Sequence, residues 1–153
     1  VSKGRAENGV TTKILDGIGI PHYIVCERHE EYEYTKNTNA KILVLPEEYL
    51  TNYETCDDLG SSISKGPGAA RNFCIDHSFN KGFKRHWVMD DNMEAFYRLN
   101  NNEKFKAETA SIFSAAEDFV ERYTNVPVSG FNYQSFCKKT DKVPPFIKNT
   151  RIY

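Results

Sequence analysis

The sequence lacks the features that would place it at once in a membrane, repeat or disordered class. No apolar run reaches the ~20 residues that a membrane-spanning helix needs, and no secretory signal is visible. Internal repeats and low-complexity segments are absent, which argues against a solenoid or a compositionally disordered chain. The formal net charge is only −1, so there is no global attraction to nucleic acid or to an anionic membrane surface.

Cysteines at metal-binding spacing are also lacking. None of the four cysteines forms a C-x-x-C pair, and none has a histidine at zinc-finger spacing, so a zinc finger is excluded. We therefore expect free thiols in a reducing compartment, which favours a cytoplasmic protein, with two disulfides as the alternative. The four cysteines are Cys26, Cys56, Cys74 and Cys137.

What is present is typical of a globular domain with a packed core. The chain has 153 residues, of which 39% are hydrophobic and 27% charged, so it can bury a core of its own. Residues 1–5 read like the end of a strand, and residues 149–153 read like the start of one. We expect a single domain over 1–153 that is truncated at both ends.

Hydrophobic periodicity predicts alternating helices and strands. Turn-rich residues 47–65 are predicted to form a surface loop. The alternation predicts an α/β sandwich with a mostly parallel central sheet flanked by helices. The predicted strands cover 22–26, 40–45, 87–89, 126–131 and 146–153, and the predicted helices cover 11–17, 28–35, 69–80 and 109–123.

Four polar stretches follow predicted strands directly. They are residues 2–5, Glu27, residues 46–48 and residues 90–92. Ligands of open α/β sheets bind outside the carboxyl ends of the strands. We therefore expect these four stretches to meet at one edge of the sheet.

The acidic stretch is the most informative of the four. Asp90, Asp91 and Asn92 follow a short apolar run, and hard oxygen ligands at a strand end suit Mg²⁺ or Mn²⁺, which commonly hold phosphates. The alternative is a turn or a helix N-cap, which Asp and Asn also favour. Its position after a predicted buried strand favours the metal site.

A glycine-rich segment precedes the acidic stretch and opens a predicted helix. Gly66 and Gly68 would allow a ligand to approach the backbone closely, and a helix N-terminus favours anions. Arg71 and Asn72, one turn into that helix, could reach a phosphate or a sugar. The segment matches neither G-x-G-x-x-G nor a P-loop, so the alternative is an ordinary loop with a solvated arginine.

Residues at the beginning of the chain complete the candidate site. Ser2, Gly4 and Arg5 could form a nucleotide-binding turn, and Glu27 could accept a hydrogen bond from a base or a ribose. Solvated charges at loop starts are the alternative reading of each. None of the histidines is placed as a catalytic group, so the catalytic residue stays unassigned.

Together these motifs resemble a known enzyme family. An early S-x-G-R, a strand ending in I-V-x-E, a G-x-G-x-A-R-N segment and an h-x-M-D-D-N segment are similar to the GT-A glycosyltransferases. In particular they resemble the TET-associated glycosyltransferases of bacteriophages and bacteria, which are thought to modify DNA bases. The resemblance covers most of residues 1–153, including V-S-G-F-N-Y at 128–133 and N-T-R at 149–151.

The resemblance implies a fold, a reaction and partners. It implies a nucleotide-sugar-binding domain with a GT-A-like, Rossmann-like sandwich, in a bacterial cell or a phage-infected host. The donor would be a nucleotide-diphosphate sugar, with a UDP-sugar ranked first. A hydroxymethyl pyrimidine in DNA is the candidate acceptor, and no membrane is involved.

The resemblance also implies residue roles. Asp90, Asp91 and Asn92 correspond to the D-x-D element that binds Mn²⁺ or Mg²⁺ and the donor diphosphate, although Asn in the last place departs from the commonest form. Arg71 and Asn72 would hold the donor. The nucleoside would be held by Ser2, Arg5 and Glu27.

Other function classes remain open from the residues alone. A nucleotidyltransferase shares the fold type and the acidic cluster. A phosphatase of the haloacid dehalogenase kind ranks low, because its D-x-D-x-T/V pattern loses the second Asp here. A non-catalytic α/β nucleotide-binding module, in which the carboxylates only cap a helix, is the third alternative.

Overall fold

The structure is a computed structural model that describes residues 1–54 and 66–137. Tertiary contacts divide the chain into two compact units. The N-terminal unit is Val1–Glu94, and the C-terminal unit begins at Ala95. Every residue of the predicted site lies in the N-terminal unit.

Two parallel strands form the centre of the N-terminal unit. Strands β1 (Tyr23–Cys26) and β2 (Lys41–Val44) pair in parallel, with Ile24 opposite Ile42. Parallel neighbours need a crossover connection, and here it consists of a 3₁₀ turn followed by helix α2 (Glu31–Asn37). The predicted strand–helix–strand order over 22–45 is therefore confirmed.

Side chains on the two faces of this small sheet pack against different helices. On one face, Ile24 and Cys26 contact Tyr34 of α2. On the other face, Val25 and Leu45 contact Ala70 of helix α4 (Gly68–Asn80). Covering both faces is the usual arrangement of parallel strands, because neither face is left to water.

The predicted helices that precede and follow the two strands in the sequence are also confirmed. Helix α1 spans Val10–Gly17 and buries Leu15. Helix α4 spans Gly68–Asn80 and presents its apolar side to the core. His77 of α4 stacks near the rings of Tyr23 and Phe73, with centroid distances of 5.6 and 5.8 Å.

The predicted loop over 47–65 is wrong at its beginning. Residues Glu47–Thr51 form a short helix, α3, with Pro46 as its N-cap. The two glutamates of the first turn favour a helix start, because negative side chains are stabilising near a helix N-terminus. Residues 55–65 lie outside the described part of the chain.

The predicted strand over 87–89 is also wrong. These residues form no regular secondary structure, since an apolar run makes a strand only when a neighbouring strand pairs with it. Isolated backbone bonds link the segment to β1 through the first two residues. The Val1 nitrogen donates to the Met89 carbonyl at 3.0 Å, and the Ser2 amide donates to the Val25 carbonyl at 3.0 Å.

The C-terminal unit contains a hairpin that sequence patterning did not predict. Strands β3 (Tyr97–Asn100) and β4 (Glu103–Lys106) pair antiparallel. The connecting residues Asn101 and Asn102 have φ angles of 46° and 61°, as a tight hairpin turn requires. The asparagine pair was therefore the available signal, but the mostly polar strands around it lack the apolar alternation that marks a half-buried strand.

The rest of the C-terminal unit is built on an aromatic core. Helix α5 (Ser111–Val120) confirms the predicted amphipathic helix, and its Phe113 is buried against Phe96 and Phe131, with ring centroids 5.0 and 5.5 Å away. The predicted strand over 126–131 is wrong, because these residues form turns and irregular backbone and Val128 is 65% exposed. A 3₁₀ turn follows at Gln134–Phe136.

The fold class is confirmed at the level of mixed α/β structure. Among residues 1–54 and 66–137, parallel pairing is limited to β1 and β2, and the β3–β4 hairpin is a separate two-stranded sheet. The predicted strand over 146–153 falls outside the described residues. No helix within the described ranges is both long enough and apolar enough to cross a membrane.

Candidate active site

The N-terminal loop, residues 2–5, lies at the carboxyl end of β1 and contacts the acidic stretch. The Ser2 hydroxyl donates to the Asp91 carboxylate at 2.7 Å, and the same oxygen lies 2.6 Å from the Tyr34 hydroxyl. The Arg5 amide donates to that tyrosine oxygen at 3.2 Å. Residues far apart in sequence therefore share one hydrogen-bond network.

The donor and the acceptor of each hydrogen bond in this network follow from the Asp91 carboxylate at its end. A carboxylate only accepts hydrogen bonds, so Ser2 must give its single hydroxyl proton to Asp91. Tyr34 therefore donates to Ser2, and Arg5 donates to Tyr34. Each bond polarises the next along the chain from Arg5 to Asp91. Burial of Tyr34, which is 2% exposed, raises the pKa of its hydroxyl, so the phenol keeps the proton that the network needs.

Asp91 is engaged through both of its carboxylate oxygens. One accepts from Ser2, and the other lies 3.3 Å from the Arg5 guanidinium. The Asp91 side chain is only 19% exposed, whereas that of Arg5 is 47% exposed. This carboxylate therefore fixes the N-terminal loop while its arginine partner stays accessible.

Glu27 also contacts the N-terminal loop, as the sequence predicted. Its carboxylate pairs with Lys3 at 2.5 Å and lies 3.7 Å from the His29 ring. The hydrogen bond from Lys3 to Glu27 raises the pKa of Lys3, so the cation is held in its charged form. A carboxylate that already has a lysine partner can still accept a hydrogen bond from a ligand.

Gly4 gives the loop its sharp bend. Its φ of 68° lies in the left-handed region, which side chains disfavour, and its amide donates to the Glu30 carboxylate. Glu30 and Tyr34 were both missed by sequence reasoning. They lie in a polar helical stretch where nothing distinguishes them from solvated residues.

Asp90 pairs with the helix that the glycine-rich segment opens. The Arg71 guanidinium, on the first turn of α4, donates to the Asp90 carboxylate at 2.8 Å. Both side chains are 49% exposed. Ion pairs this exposed contribute roughly 0–1 kcal/mol, so either partner can exchange to a ligand at little loss.

The two glycines before Arg71 have different surroundings. Gly66 lies in the turn that precedes α4. A Cβ built on Gly68 would lie 1.9 Å from the Tyr53 hydroxyl oxygen, so this glycine accommodates a tyrosine side chain. Close approach is needed there, as the sequence indicated, but the structure fills that position with protein.

Asn72 and residues 46–48 do not join the cluster around Asp90 and Asp91. Asn72 instead lines a groove of about 670 Å³ between α3 and α4, and Glu48 lines the same groove. The Tyr49 hydroxyl donates to Asp76 there at 2.6 Å. The remaining lining residues are Asn52, Tyr53, Glu54 and Ile75.

The residues at the predicted metal site could hold a divalent cation only if a ligand supplied further oxygen atoms. No group of three or more His, Cys, Asp or Glu side chains is arranged to hold a metal in the part of the chain that the structure describes. Mg²⁺ is commonly held by one or two carboxylates and completed by phosphate oxygens and water. Asp90 and Asp91 supply two adjacent carboxylates, and Asn92 follows them in the same turn.

The comparisons with known proteins agree with the motifs. The chain matches the family model described as TET-Associated Glycosyltransferase over residues 1–153. No curated protein and no solved structure matches it significantly. Because the match spans the whole chain, this protein belongs to the TET-associated glycosyltransferase family.

Proposed function

We propose that the carboxyl end of β1 is the donor site of this glycosyltransferase. The donor is a nucleotide-diphosphate sugar, with a UDP-sugar first in rank. Ser2, Gly4, Arg5 and Glu27 hold its nucleoside end. Arg71 and Asp90 lie on the diphosphate side.

The convergence of three distant stretches carries this proposal. Residues 2–5, Arg71 on α4 and the acidic stretch at 90–91 are joined by direct ion pairs or hydrogen bonds. Each pair leaves at least one partner about half exposed, so charged groups of both signs face solvent together. A turn that merely capped a helix would not need two arginines from separate elements.

A divalent cation fits this arrangement of charge. Asp90 and Asp91 would hold Mn²⁺ or Mg²⁺, with Asn92 as a third candidate oxygen ligand, and the cation would stabilise the negative charge of the diphosphate leaving group. A metal–diphosphate pair also carries both signs of charge. It can therefore replace the exposed Arg71–Asp90 pair, giving each side chain a new partner of opposite charge.

The reaction that we propose is glycosyl transfer to a hydroxyl group. The bond from the sugar's anomeric carbon to the diphosphate oxygen breaks, and a bond from that carbon to the acceptor oxygen forms. The hydroxyl proton passes to a base, and a nucleoside diphosphate leaves. Arg71 stabilises the charge that develops on the leaving group.

The proposal also covers the acceptor and the larger fold to which the two strands belong. We propose a hydroxymethyl pyrimidine in DNA as the acceptor, on the strength of the family assignment. We also propose that β1 and β2 belong to a GT-A-like sandwich. The support for this fold is their parallel pairing and the helices that cover both faces.

Thermal shift with nucleotides tests the donor site. Ligands that bind the native state raise its melting temperature. We expect one of UDP, GDP, CDP and ADP to raise the Tm in the presence of Mn²⁺ and to have little effect without it. The Asp90→Asn variant should lose this shift, because it removes the accessible carboxylate that we assign to the metal.

A matched substitution outside the site shows whether the loss of the nucleotide shift is specific to Asp90. Asp118 lies exposed on α5 in the C-terminal unit, and Asp118→Asn makes the same chemical change there. This control should keep the full nucleotide shift. The donor-site proposal would be refuted if no nucleotide stabilised the protein with Mn²⁺, and the non-catalytic reading of the carboxylates would then be preferred.

A further inference from the structure

One buried residue of α1 is hydrogen-bonded to the backbone of the acidic turn at residues 90–93. We call this set of hydrogen bonds the clamp. Thr11 is 6% exposed, and it forms three hydrogen bonds to the backbone of residues 90–93. Its hydroxyl donates to the Asp90 carbonyl at 2.7 Å and accepts from the Met93 amide at 2.8 Å. Its amide donates to the Asp91 carbonyl at 3.4 Å.

The hydroxyl bonds to both backbone groups that close an ordinary β-turn. In such a turn the first carbonyl accepts from the fourth amide, which here are those of Asp90 and Met93. A hydroxyl can serve both, since it has one donor and two acceptor positions. Asp91 and Asn92 occupy the central positions of the turn, so the conformation of both depends on this contact.

From this geometry we propose that Thr11 is a positioning residue for the donor site. It fixes the turn so that Asp90 and Asp91 leave the backbone in the directions that reach Arg71 and Arg5. Thr11 touches no ligand itself. The inference rests on the proposed function for its ligand, but the clamp on the turn can be tested without one.

Removing the hydroxyl while keeping the side-chain shape isolates its role. Thr11→Val replaces the hydroxyl with a methyl group and removes the hydrogen-bond partner that the Asp90 carbonyl and the Met93 amide share. Thr11→Ser keeps the hydroxyl and loses only the methyl group. Groups that orient metal-binding side chains typically change affinity by ~10–100-fold when removed, and we expect an effect of that size for Thr11→Val alone.

The readout is the affinity of the best-binding nucleoside diphosphate with Mn²⁺, measured by titration calorimetry. We expect Thr11→Val to weaken binding about tenfold or more and Thr11→Ser to stay within about threefold of the wild type. Leu15→Ala is the control for lost stability, because Leu15 is buried on the same helix and takes part in none of the three hydrogen bonds that Thr11 makes to the turn. It should lower the Tm and leave the affinity nearly unchanged.

Hydrogen exchange of the Met93 amide provides a second test that needs no variant. The account predicts that this amide is protected in the wild type, because it donates to a buried hydroxyl. Fast exchange at Met93 would overturn the proposal. Equal loss of affinity in Thr11→Ser, Thr11→Val and Leu15→Ala would also overturn it, since the hydroxyl would then have no specific role.

The two proposals fail in different ways. If the wild type binds none of the four diphosphates with Mn²⁺, the donor-site proposal fails. The exchange rate of the Met93 amide, compared between the wild type and Thr11→Val, still decides whether the clamp exists. If the wild type binds and Thr11→Val binds equally well, the clamp proposal fails and the donor site stands.

Discussion

At the residue scale, the two neighbouring aspartates have different surroundings. Asp91 is mostly buried, and both of its oxygens have partners in the N-terminal loop. Asp90 is half exposed and has one arginine partner, which is equally exposed. The sequence could not separate them, because the difference comes from the elements that pack beside each one. Asp90 is therefore the better candidate to exchange its partner for a cation.

Cys26 permits a pH prediction at the same scale. Its thiol is 2% exposed at the carboxyl end of β1, and burial raises its pKa from 9.0 to about 11. The unfolded chain therefore loses the proton first as the pH rises. Stability from the neutral thiol is complete below about pH 9 and is lost as the pH rises towards 11. We expect a loss of about 2 kcal/mol over this range from this group.

Urea unfolding at pH 8 and at pH 11 measures that loss. Cys26→Ala should be less stable at pH 8, because it leaves a small cavity, but its stability should fall less on going to pH 11. Cys137→Ala, which removes a thiol from outside the buried core, should follow the wild type. Identical pH slopes in the wild type and Cys26→Ala would contradict the account.

At the scale of elements, the start of α4 combines a helix N-terminus with a tightly packed glycine. A side chain at Gly68 would collide with Tyr53, so Gly68→Ala should destabilise the protein by about 1–3 kcal/mol. The same change in a Tyr53→Ala background should be neutral or stabilising, because the obstacle is gone and alanine favours helix. Thermal unfolding of the two single variants and the double variant measures this coupling.

Gly17→Ala is the matched control for that cycle. Gly17 is the last residue of α1, and a Cβ there meets nothing within 4 Å. This variant should keep or slightly raise the Tm. If Gly68→Ala behaved like Gly17→Ala in both backgrounds, the close packing of Tyr53 would not be the reason for the glycine.

Sequence patterning predicted the elements that carry a clear apolar pattern within their own residues. Strands β1 and β2 and helices α1, α2, α4 and α5 were all predicted, because helical spacing or β-branched runs identify them. The hairpin of β3 and β4 was missed, because its strands are polar and largely exposed. The segments at 87–89 and 126–131 look like strands locally, but pairing depends on neighbours that local sequence does not specify.

Much of the candidate site was also predictable, for a physical reason. Glu27 follows β1 and Arg71 lies on the first turn of α4, and such places converge in α/β folds. Asp90 and Asp91 follow an apolar segment that is hydrogen-bonded to Val1 without forming a strand. The buried residues beneath it were not predictable. Tyr34 and Thr11 act through contacts that span the fold, and neither belongs to a motif. Asn72 lines the groove between α3 and α4 and not the cluster around Asp90, because consecutive residues of a helix point in different directions.

At the scale of the whole molecule, the net charge is near zero, but two surfaces of the N-terminal unit differ in the charges they carry. The proposed donor site pairs its carboxylates with Lys3, Arg5 and Arg71. Among the residues that the structure describes, the lining of the groove between α3 and α4 contains Glu48, Glu54 and Asp76 and no basic residue. A free cation could be attracted to either surface, but a metal–diphosphate needs the arginines of the first.

Paramagnetic broadening by Mn²⁺ therefore tests the central claim most directly. Backbone amide signals of the wild type would be recorded with the best-binding nucleoside diphosphate, with and without substoichiometric Mn²⁺. The account predicts the strongest broadening at Asp90–Asn92, with further broadening at Ser2–Arg5 and Arg71. Broadening centred on the groove residues Glu48 and Asp76, with the signals of residues 90–92 unaffected, would contradict it.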